Sequence, residues 1–365
     1  MRRTVGPRSQ GPLESGARSV RGAGCLEPVS TRKPAGASKV LRMRILVTGG
    51  AGFIGSAYVR TLLDGGYPGC AEAEVTVLDA LTYAGNTDNL PLGRPRLDFV
   101  RGDITDTELL RSVVPGHDWV VHFAAESHVD RSVRGAAAFA RTNVLGTQSL
   151  LDACLAAGVD RFVHVSTDEV YGSIDRGSWT EDSPLLPNSP YAASKASSDL
   201  MARAYWRTHG LDVRITRCSN NYGPYQHVEK LVPLFVTRLL TGGTLPLYGD
   251  GTNVREWIHV EDHCRAVHLV LTGGRAGEVY NIGGGTALTN RRLTELLLGL
   301  CDAGWDRVRH VEDRKGHDLR YAIDDAKIRA ELGWRPRVSF EEGLSGVVEW
   351  YRANPAWWKS LEAAR

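Results

Sequence analysis

This sequence predicts an α/β protein: a doubly wound parallel sheet followed by a smaller, loop-rich C-terminal lobe. Three observations predict it. A short apolar run stops at a glycine turn that opens a helix, strand-helix alternation continues to about residue 217, and that alternation then fades. Arg44 to Thr48 (RILVT) is the first expected strand, and Phe53 to Leu63 has helical apolar spacing that ends at Gly65-Gly66. Val75 to Leu78 gives a second strand ending at Asp79, Leu97 to Val100 a third, and Trp119 to Phe123 a fourth. A long helix around Ala136 to Ala157, a strand Arg161 to Val165, a helix from Tyr191 to about His209 and a strand Val213 to Thr216 complete two mononucleotide-binding halves of Rossmann type. Beyond them, Gly/Pro/Asn-rich loops separate short strands such as Leu245 to Tyr248 and helices near 261–272 and 290–301. The organisation expected is an extension over 1–42, a dinucleotide-binding core over 43–217, and a mainly substrate-binding lobe over 218–365 with some segments returning to the core.

Composition narrows the function classes. The chain has 365 residues, 42% hydrophobic and 24% charged, an ordinary globular make-up with ample length for a buried core. The net charge is +2, and much of the basic excess lies in the first 44 residues, so nucleic acid is not an expected partner. Cys25, Cys70, Cys154, Cys218, Cys264 and Cys301 are scattered, with no CxxC or Cys/His cluster, which points to reduced thiols and no metal site. No run approaches the ~18 apolar residues of a membrane helix. A soluble, cytoplasmic protein is expected, without a membrane partner.

Residues 1–42 are rich in Arg, Gly, Pro and Ser and are expected to be disordered. A transit peptide has a similar composition, but Met43 stands directly before the first strand, so a misassigned start is the preferred reading.

The chemistry begins at GGAGFIG, where Gly49, Gly52 and Gly55 lie between a strand and a helix and let the backbone approach a pyrophosphate at the helix N-terminus. Asp79 at the second strand's end suits ribose hydroxyls and would repel a 2′-phosphate, which favours NAD over NADP. Asp103 closes the third strand and Phe123, Ala124 and Ala125 close the fourth, at the sheet edge where such folds bind ligands. Asp103 equally suits a helix N-cap, and the 123–125 run equally suits core packing.

Tyr191 and Lys195 follow Pro190 at helical spacing and share one face. A nearby ammonium is expected to lower the phenol pKa from about 10, so that Tyr191 can take a proton from a sugar hydroxyl. Thr167-Asp168-Glu169 follows the strand FVHV, at the carboxyl end beside the expected nicotinamide. Hydride transfer alone needs no carboxyl pair there, whereas elimination does: one acid donates to a leaving hydroxyl and the other removes a carbon-bound proton. By itself an Asp-Glu pair also suits a capped, solvated turn.

Together GGAGFIGS, AAESHVDRS (124–132), STDEVYG (166–172), YAASKASSD (191–199) and SNNYGPYQ (219–226), with EKLVP (229–233) and DRKGHD (313–318), closely resemble the dTDP-glucose 4,6-dehydratases of the extended short-chain dehydrogenase/reductase group. The resemblance runs from about Met43 to near Trp350. It implies an internal redox cycle on tightly held NAD, which takes a hydride from C4 of the sugar and returns it at C6. Tyr191 would accept the C4 hydroxyl proton while Thr167 bonds that oxygen. Glu169 would remove the C5 proton and Asp168 would protonate the departing C6 hydroxyl, with Lys195 bonding the nicotinamide ribose.

The same resemblance implies NAD contacts at Phe53 and Ile54, at Ala80, Leu81 and Thr82, at Ile104, and at Ser127, Thr142 and Asn221. Sugar-nucleotide contacts are implied at Ser127, Asn220, Glu229, Lys230 and Leu231, at Pro246 and Tyr248, and at Arg255, Asn281, Asp313 and His317. Arg255 can grip a diphosphate through its fork and Asn220 can bond sugar or phosphate oxygens, although a surface ion pair and an Asx turn are their ordinary alternatives. His227-Val228 departs from the family's usual aromatic-proline pair; neither His227 nor His128 is assigned a catalytic role. A homodimer through the Tyr191 helix and the long helix before residue 157 is also implied. The competing classes are a UDP-sugar 4-epimerase or decarboxylase, which lacks the full Thr-Asp-Glu triplet, and an NAD-binding sensor without chemistry.

Overall fold

A computed structural model describes residues 42–363. The expectations for the extension, from disorder to a targeting segment, and for Cys25, fall on residues outside those described.

Strand β1 (Arg44–Thr48) is flanked by β2 (Glu74–Asp79) and β4 (Trp119–His122). β3 (Leu97–Arg101), β5 (Arg161–Thr167) and β6 (Val213–Cys218) extend the sheet outward. With strand Val279–Ile282 beyond β6 the sheet has seven strands, all parallel, in the order 279–282, β6, β5, β4, β1, β2, β3. This is a Rossmann-type doubly wound sheet. The order reverses between β1 and β4, which opens a crevice at the carboxyl ends there.

The strands are apolar on both sides because helices cover both sides. Ile45, Val47, Val75, Val77 and Val121 pack on the face covered by helices Phe53–Leu63 and Val260–Gly273. Their strand neighbours Leu46, Leu78 and Val120 pack on the face covered by Thr107–Val113, Thr147–Ala157 and Pro190–His209. The C-terminal part has two smaller sheets. One contains Thr286–Thr289, Val254–His259 and Asn220–Tyr222, and the other pairs Val308–Val311 with Leu245–Tyr248. Helices Leu231–Leu240, Asn290–Leu300 and Phe340–Ala353 surround these sheets with a core that includes Val236, Leu245, Leu297, Val347 and Tyr351.

Three departures from the sequence expectations bear on the site. β5 runs two residues past Val165 and so carries Ser166 and Thr167 to the sheet edge. Strand Val279–Ile282 rejoins the large sheet, although only four residues with a central Asn mark it in the sequence. The long helix 136–157 is not uniform: Ala136–Phe139 and Thr147–Ala157 are α-helical, but Ala140–Gly146 is a π-helix. Such insertions recur at functional sites. This one turns Asn143 inward, where Glu126 N–H donates to its Oδ1 at 2.8 Å and its Nδ2 donates to Glu126 O at 3.0 Å and Ser194 Oγ at 2.8 Å.

Among the described residues no helix is long and apolar enough to cross a membrane, and no group of three or more His, Cys, Asp or Glu gathers as a metal site. Cys70, Cys154, Cys218 and Cys264 are buried free thiols, and Cys301 is a half-buried one.

Candidate active site

A long cleft runs along the carboxyl ends of β1 to β6. Its floor is the glycine turn, lined by Gly49, Gly52, Phe53, Ile54 and Gly55. Gly49 has φ +69°, and a Cβ there would lie 2.5 Å from Ala124 N, so only glycine lets the turn meet the end of β4. At Gly55 a Cβ would lie 2.3 Å from Gly49 O, which keeps the helix start under the turn. Helix Phe53–Leu63 has no side-chain N-cap and no acid in its first turn, so its leading N–H groups suit an anion.

Asp79 accepts from Ala51 N–H at 2.9 Å and Leu81 N–H at 2.8 Å. Burial raises its pKa, and the backbone donors Leu81, Ala51 and Gly52 oppose the rise. The uncapped helix start and this carboxylate fit a dinucleotide, with pyrophosphate on the first and a ribose on the second.

Ala80, Thr82, Asp103, Ile104, Phe123, Ala124, Ala125, Ser127 and Thr142 also line the cleft. Leu81 does not. Its backbone turns through φ 51°, and its half-buried side chain packs against the hydrophobic core between the lining residues Ala80 and Thr82. Asp103 forms a local turn with Thr105 N–H at 2.9 Å, while Asp106 caps the following helix. The N-cap alternative for Asp103 is thereby removed.

Opposite the glycine turn, Thr167 ends β5 and caps the 3-10 turn Asp168–Tyr171: its Oγ1 accepts from Glu169 N–H at 3.3 Å and donates to Asp168 Oδ1 at 3.3 Å. The two acids then face different surroundings. Glu169 lines the cleft. Burial raises its pKa, but Arg255, Lys230 and Arg314 all favour its charged form. Asp168 is 2% exposed, stands behind the cleft wall, and its Oδ2 has no partner. Burial drives its pKa well above the usual carboxylate range, and Glu169 and Glu256 add to the rise.

Tyr191 and Lys195 line the cleft from the first turns of helix Pro190–His209, capped by Ser189. The expected depression of the phenol pKa is not found. Burial and the nearby Glu169 push Tyr191 well above 10, against a hydrogen bond from Thr167. Lys195 donates instead to Val165 O at 2.8 Å, and burial lowers its own pKa to about 8 against the pull of Asp199.

The sugar side of the cleft gathers further residues far apart in sequence. Asn220, Asn221, Glu229 and Lys230 line the cleft. Lys230 donates to Ser127 O at 2.8 Å, Glu229 pairs with Arg131, and Asn221 Oδ1 lies 2.8 Å from His263 Nδ1. Leu231, Pro246, Tyr248, Arg255, Asn281, Asp313 and His317 do not line it.

One of these needs correction. Asn281 is fully buried, accepts from Tyr171 OH at 2.8 Å and donates to Trp179 O at 3.0 Å, so its amide is committed inside the fold rather than to a ligand. Arg255 is buried rather than in a surface pair, yet two of its N–H groups already serve Val254 O at 2.7 Å and Asp318 O at 3.0 Å. Tyr248, Asp313 and His317 meet one another near Arg314, which pairs with Asp130 at 2.6 Å.

Several other lining residues receive no role from the sequence, although Glu126, His128 and Gln226 fall inside the motifs AAESHVDRS and SNNYGPYQ. Tyr83, with Arg131 stacked 4.0 Å from its ring centre, together with Glu126, His128, Cys218 and Gln226, reaches the cleft only through tertiary packing. Burial pulls His128 down to about 4, consistent with leaving it out of proton transfer. His227 also lines the cleft, edge-on to Tyr83 at 5.6 Å, so the departure from the family pattern falls on the ligand side.

The family described as GDP-mannose 4,6 dehydratase matches residues 46–347. A dTDP-glucose 4,6-dehydratase of Streptomyces niveus is 62% identical over 323 residues, covering 88% of this chain and 96% of that protein. DesIV, a dTDP-glucose 4,6-dehydratase of Streptomyces venezuelae solved with NAD bound, is 68% identical with a TM-score of 0.87 over 87% of this chain and 100% of that one. A UDP-glucose 4-epimerase of Thermotoga maritima shares the fold at 35% identity and a TM-score of 0.79, over 86% of this chain and 100% of that one. By the extent of the dehydratase likeness and by the Thr167-Asp168-Glu169 triplet at its cleft, the chain belongs to the dTDP-glucose 4,6-dehydratase family.

Proposed function

We propose that this chain is an NAD-dependent lyase that converts dTDP-glucose to dTDP-4-keto-6-deoxyglucose and water. The observation that carries the proposal is the unequal pair Asp168 and Glu169, with Glu169 on the same wall of the cleft as Tyr191 and Lys195 and Asp168 directly behind it. An epimerase needs only the oxidising pair, and a sensor needs neither.

NAD, held by the Gly49–Gly55 turn, Asp79 and Lys195, would supply a hydride acceptor for C4 and the matching donor for C6. The chain's own groups do the rest. Thr167 donates to the C4 oxygen, and Tyr191 receives its proton as the phenolate, a form that burial and Glu169 disfavour in this structure and that the positive charges of Lys195 and of a bound nicotinamide ring would favour. Lys195 holds the nicotinamide ribose. Once C4 is a ketone, the C5 proton is acidic and Glu169, kept ionisable by three cations, removes it. Asp168, whose burial holds its proton, donates it to the departing C6 oxygen. Its place behind the wall requires a small rotation toward the cleft when the sugar is seated.

In this proposal residues 43–217, with the helix 260–273 and strand 279–282, hold NAD. The remainder of 218–365 receives the nucleotide. Ser127, Asn220, Glu229, Lys230 and Arg255 meet the sugar and diphosphate, while Tyr248, Asp313 and His317 close on the nucleoside. Val133, Leu145 and Leu200 are large apolar side chains exposed on the helices near the site, which supports a homodimer through them. A cytoplasmic location is part of the same proposal.

The test is purified protein without added NAD against a panel of dTDP-, UDP-, GDP- and CDP-glucose. Water loss from dTDP-glucose is expected. Water loss from none of the panel overturns the proposal, and preference for another nucleotide overturns the assignment of the base. Light scattering checks the dimer, with twice the chain mass expected.

A further inference from the structure

We propose that Tyr171 is a positioning residue for elimination: with Arg217, Asp199 and Asn281 it sets the Asp168-Glu169 turn against the helix that carries Tyr191 and Lys195. The inference rests on the proposed dehydratase reaction and adds a residue group outside the cleft.

Tyr171 ends the 3-10 turn that begins with the two acids, and its side chain is fully buried. Its hydroxyl accepts from Arg217 Nη1 at 2.8 Å and donates to Asn281 Oδ1 at 2.8 Å. Arg217 in turn donates through Nε to Asp199 Oδ2 at 2.8 Å. Asp199 lies one helical turn after Lys195, and His164 Nε2 of β5 stands 3.2 Å from its other oxygen. Burial disfavours charge on Asp199, yet Arg217 and His164 hold its pKa down to about 2. Directly after Tyr171, Gly172 has φ +79°, and a Cβ there would lie 2.2 Å from Leu186 O, so the end of the turn is pinned on the backbone side as well.

The chain of bonds thus links the acid/base turn, β6, the Tyr191 helix and the edge strand 279–282. None of its members lines the cleft. A buried ion pair is weak evidence for stability, because desolvation offsets the attraction, and fixing one geometry is its better attested use. The geometry matters here because two half-reactions must share one seated sugar. Tyr191 and Lys195 serve C4, while Glu169 and Asp168 serve C5 and C6. A shift of about 1 Å in one set relative to the other is worth up to ~10²-fold in rate.

The test is Tyr171→Phe in the full chain with bound NAD, in single turnover with dTDP-glucose, beside the parent protein. Oxidation is read as NADH absorbance and elimination as solvent deuterium entering C5 and product forming. The expected result is elimination slowed about tenfold to hundredfold with oxidation changed less than about threefold, so that NADH accumulates transiently where the parent shows none. Equal loss of both half-reactions, or no change in either, overturns the inference. Arg217→Lys keeps the charge beside Asp199 but cannot span to Tyr171, and it must reproduce the same selective loss; should Tyr171→Phe not fold, this variant decides. A parent that never releases water overturns the dehydratase reading itself and the inference with it.

Discussion

The two walls of the cleft are built differently. The cofactor wall is mostly backbone: a glycine turn, an uncapped helix start and strand ends, with Asp79 as its main charged group. The sugar wall is mostly side chains: Thr167, Glu169, Tyr191, Lys195, Asn220, Glu229 and Lys230 arrive from four separate segments. Backbone donors cannot be titrated and need little support beyond their own turn. Side chains gathered from a distance need a second layer, and Asn143, Asp199, Arg217 and Asn281 supply it. Binding is thus assigned to the rigid wall and proton transfer to the wall whose pKa values the protein environment can move.

The largest effect should come from the sugar wall. Asp168→Asn with Glu169→Gln is expected to slow elimination about 10³-fold or more while hydride transfer from C4 stays measurable, followed as NADH against product. A double variant that dehydrates near the parent rate would remove the distinction between the walls. On the cofactor side, Gly49→Ala places a side chain at φ +69° and 2.5 Å from Ala124 N, so NAD affinity is expected to fall about tenfold to hundredfold by calorimetry.

A third effect is pH-dependent. Lys195, with its pKa lowered to about 8 by burial, offers the ribose a charged donor below that pH and only a weaker neutral one above, so NAD affinity should fall as pH rises through about 8. Between that value and the unfolded lysine's, the unfolded state binds the extra proton, so the Lys195 contribution to stability must rise over the same window. Lys195→Met should flatten both trends, measured by NAD titration and denaturant melts. The smallest effect is expected from Asp79→Asn, about tenfold or less in NAD affinity with weaker discrimination against NADP.

Legibility follows the same division. Gly49, Gly52, Gly55 and Asp79 are visible in the sequence because their spacing is local and each answers a backbone requirement. Thr167-Asp168-Glu169 and Tyr191-Lys195 are visible as motifs, but not their electrostatics: burial, which no spacing reveals, raises the Tyr191 phenol instead of lowering it and separates Asp168 from Glu169. Asn281 is mistaken for a ligand contact because its strand's return to the large sheet depends on β6 rather than on its own four residues. The turn at Leu81 and the π-helix at 140–146 are equally products of packing.

The most direct test of the account uses dTDP-glucose carrying deuterium at C4, with no NAD added. The account predicts one water lost and the label found at C6 of the same molecule, because the hydride never leaves the site. Label lost to solvent, retained at C4, or transferred between molecules would contradict it.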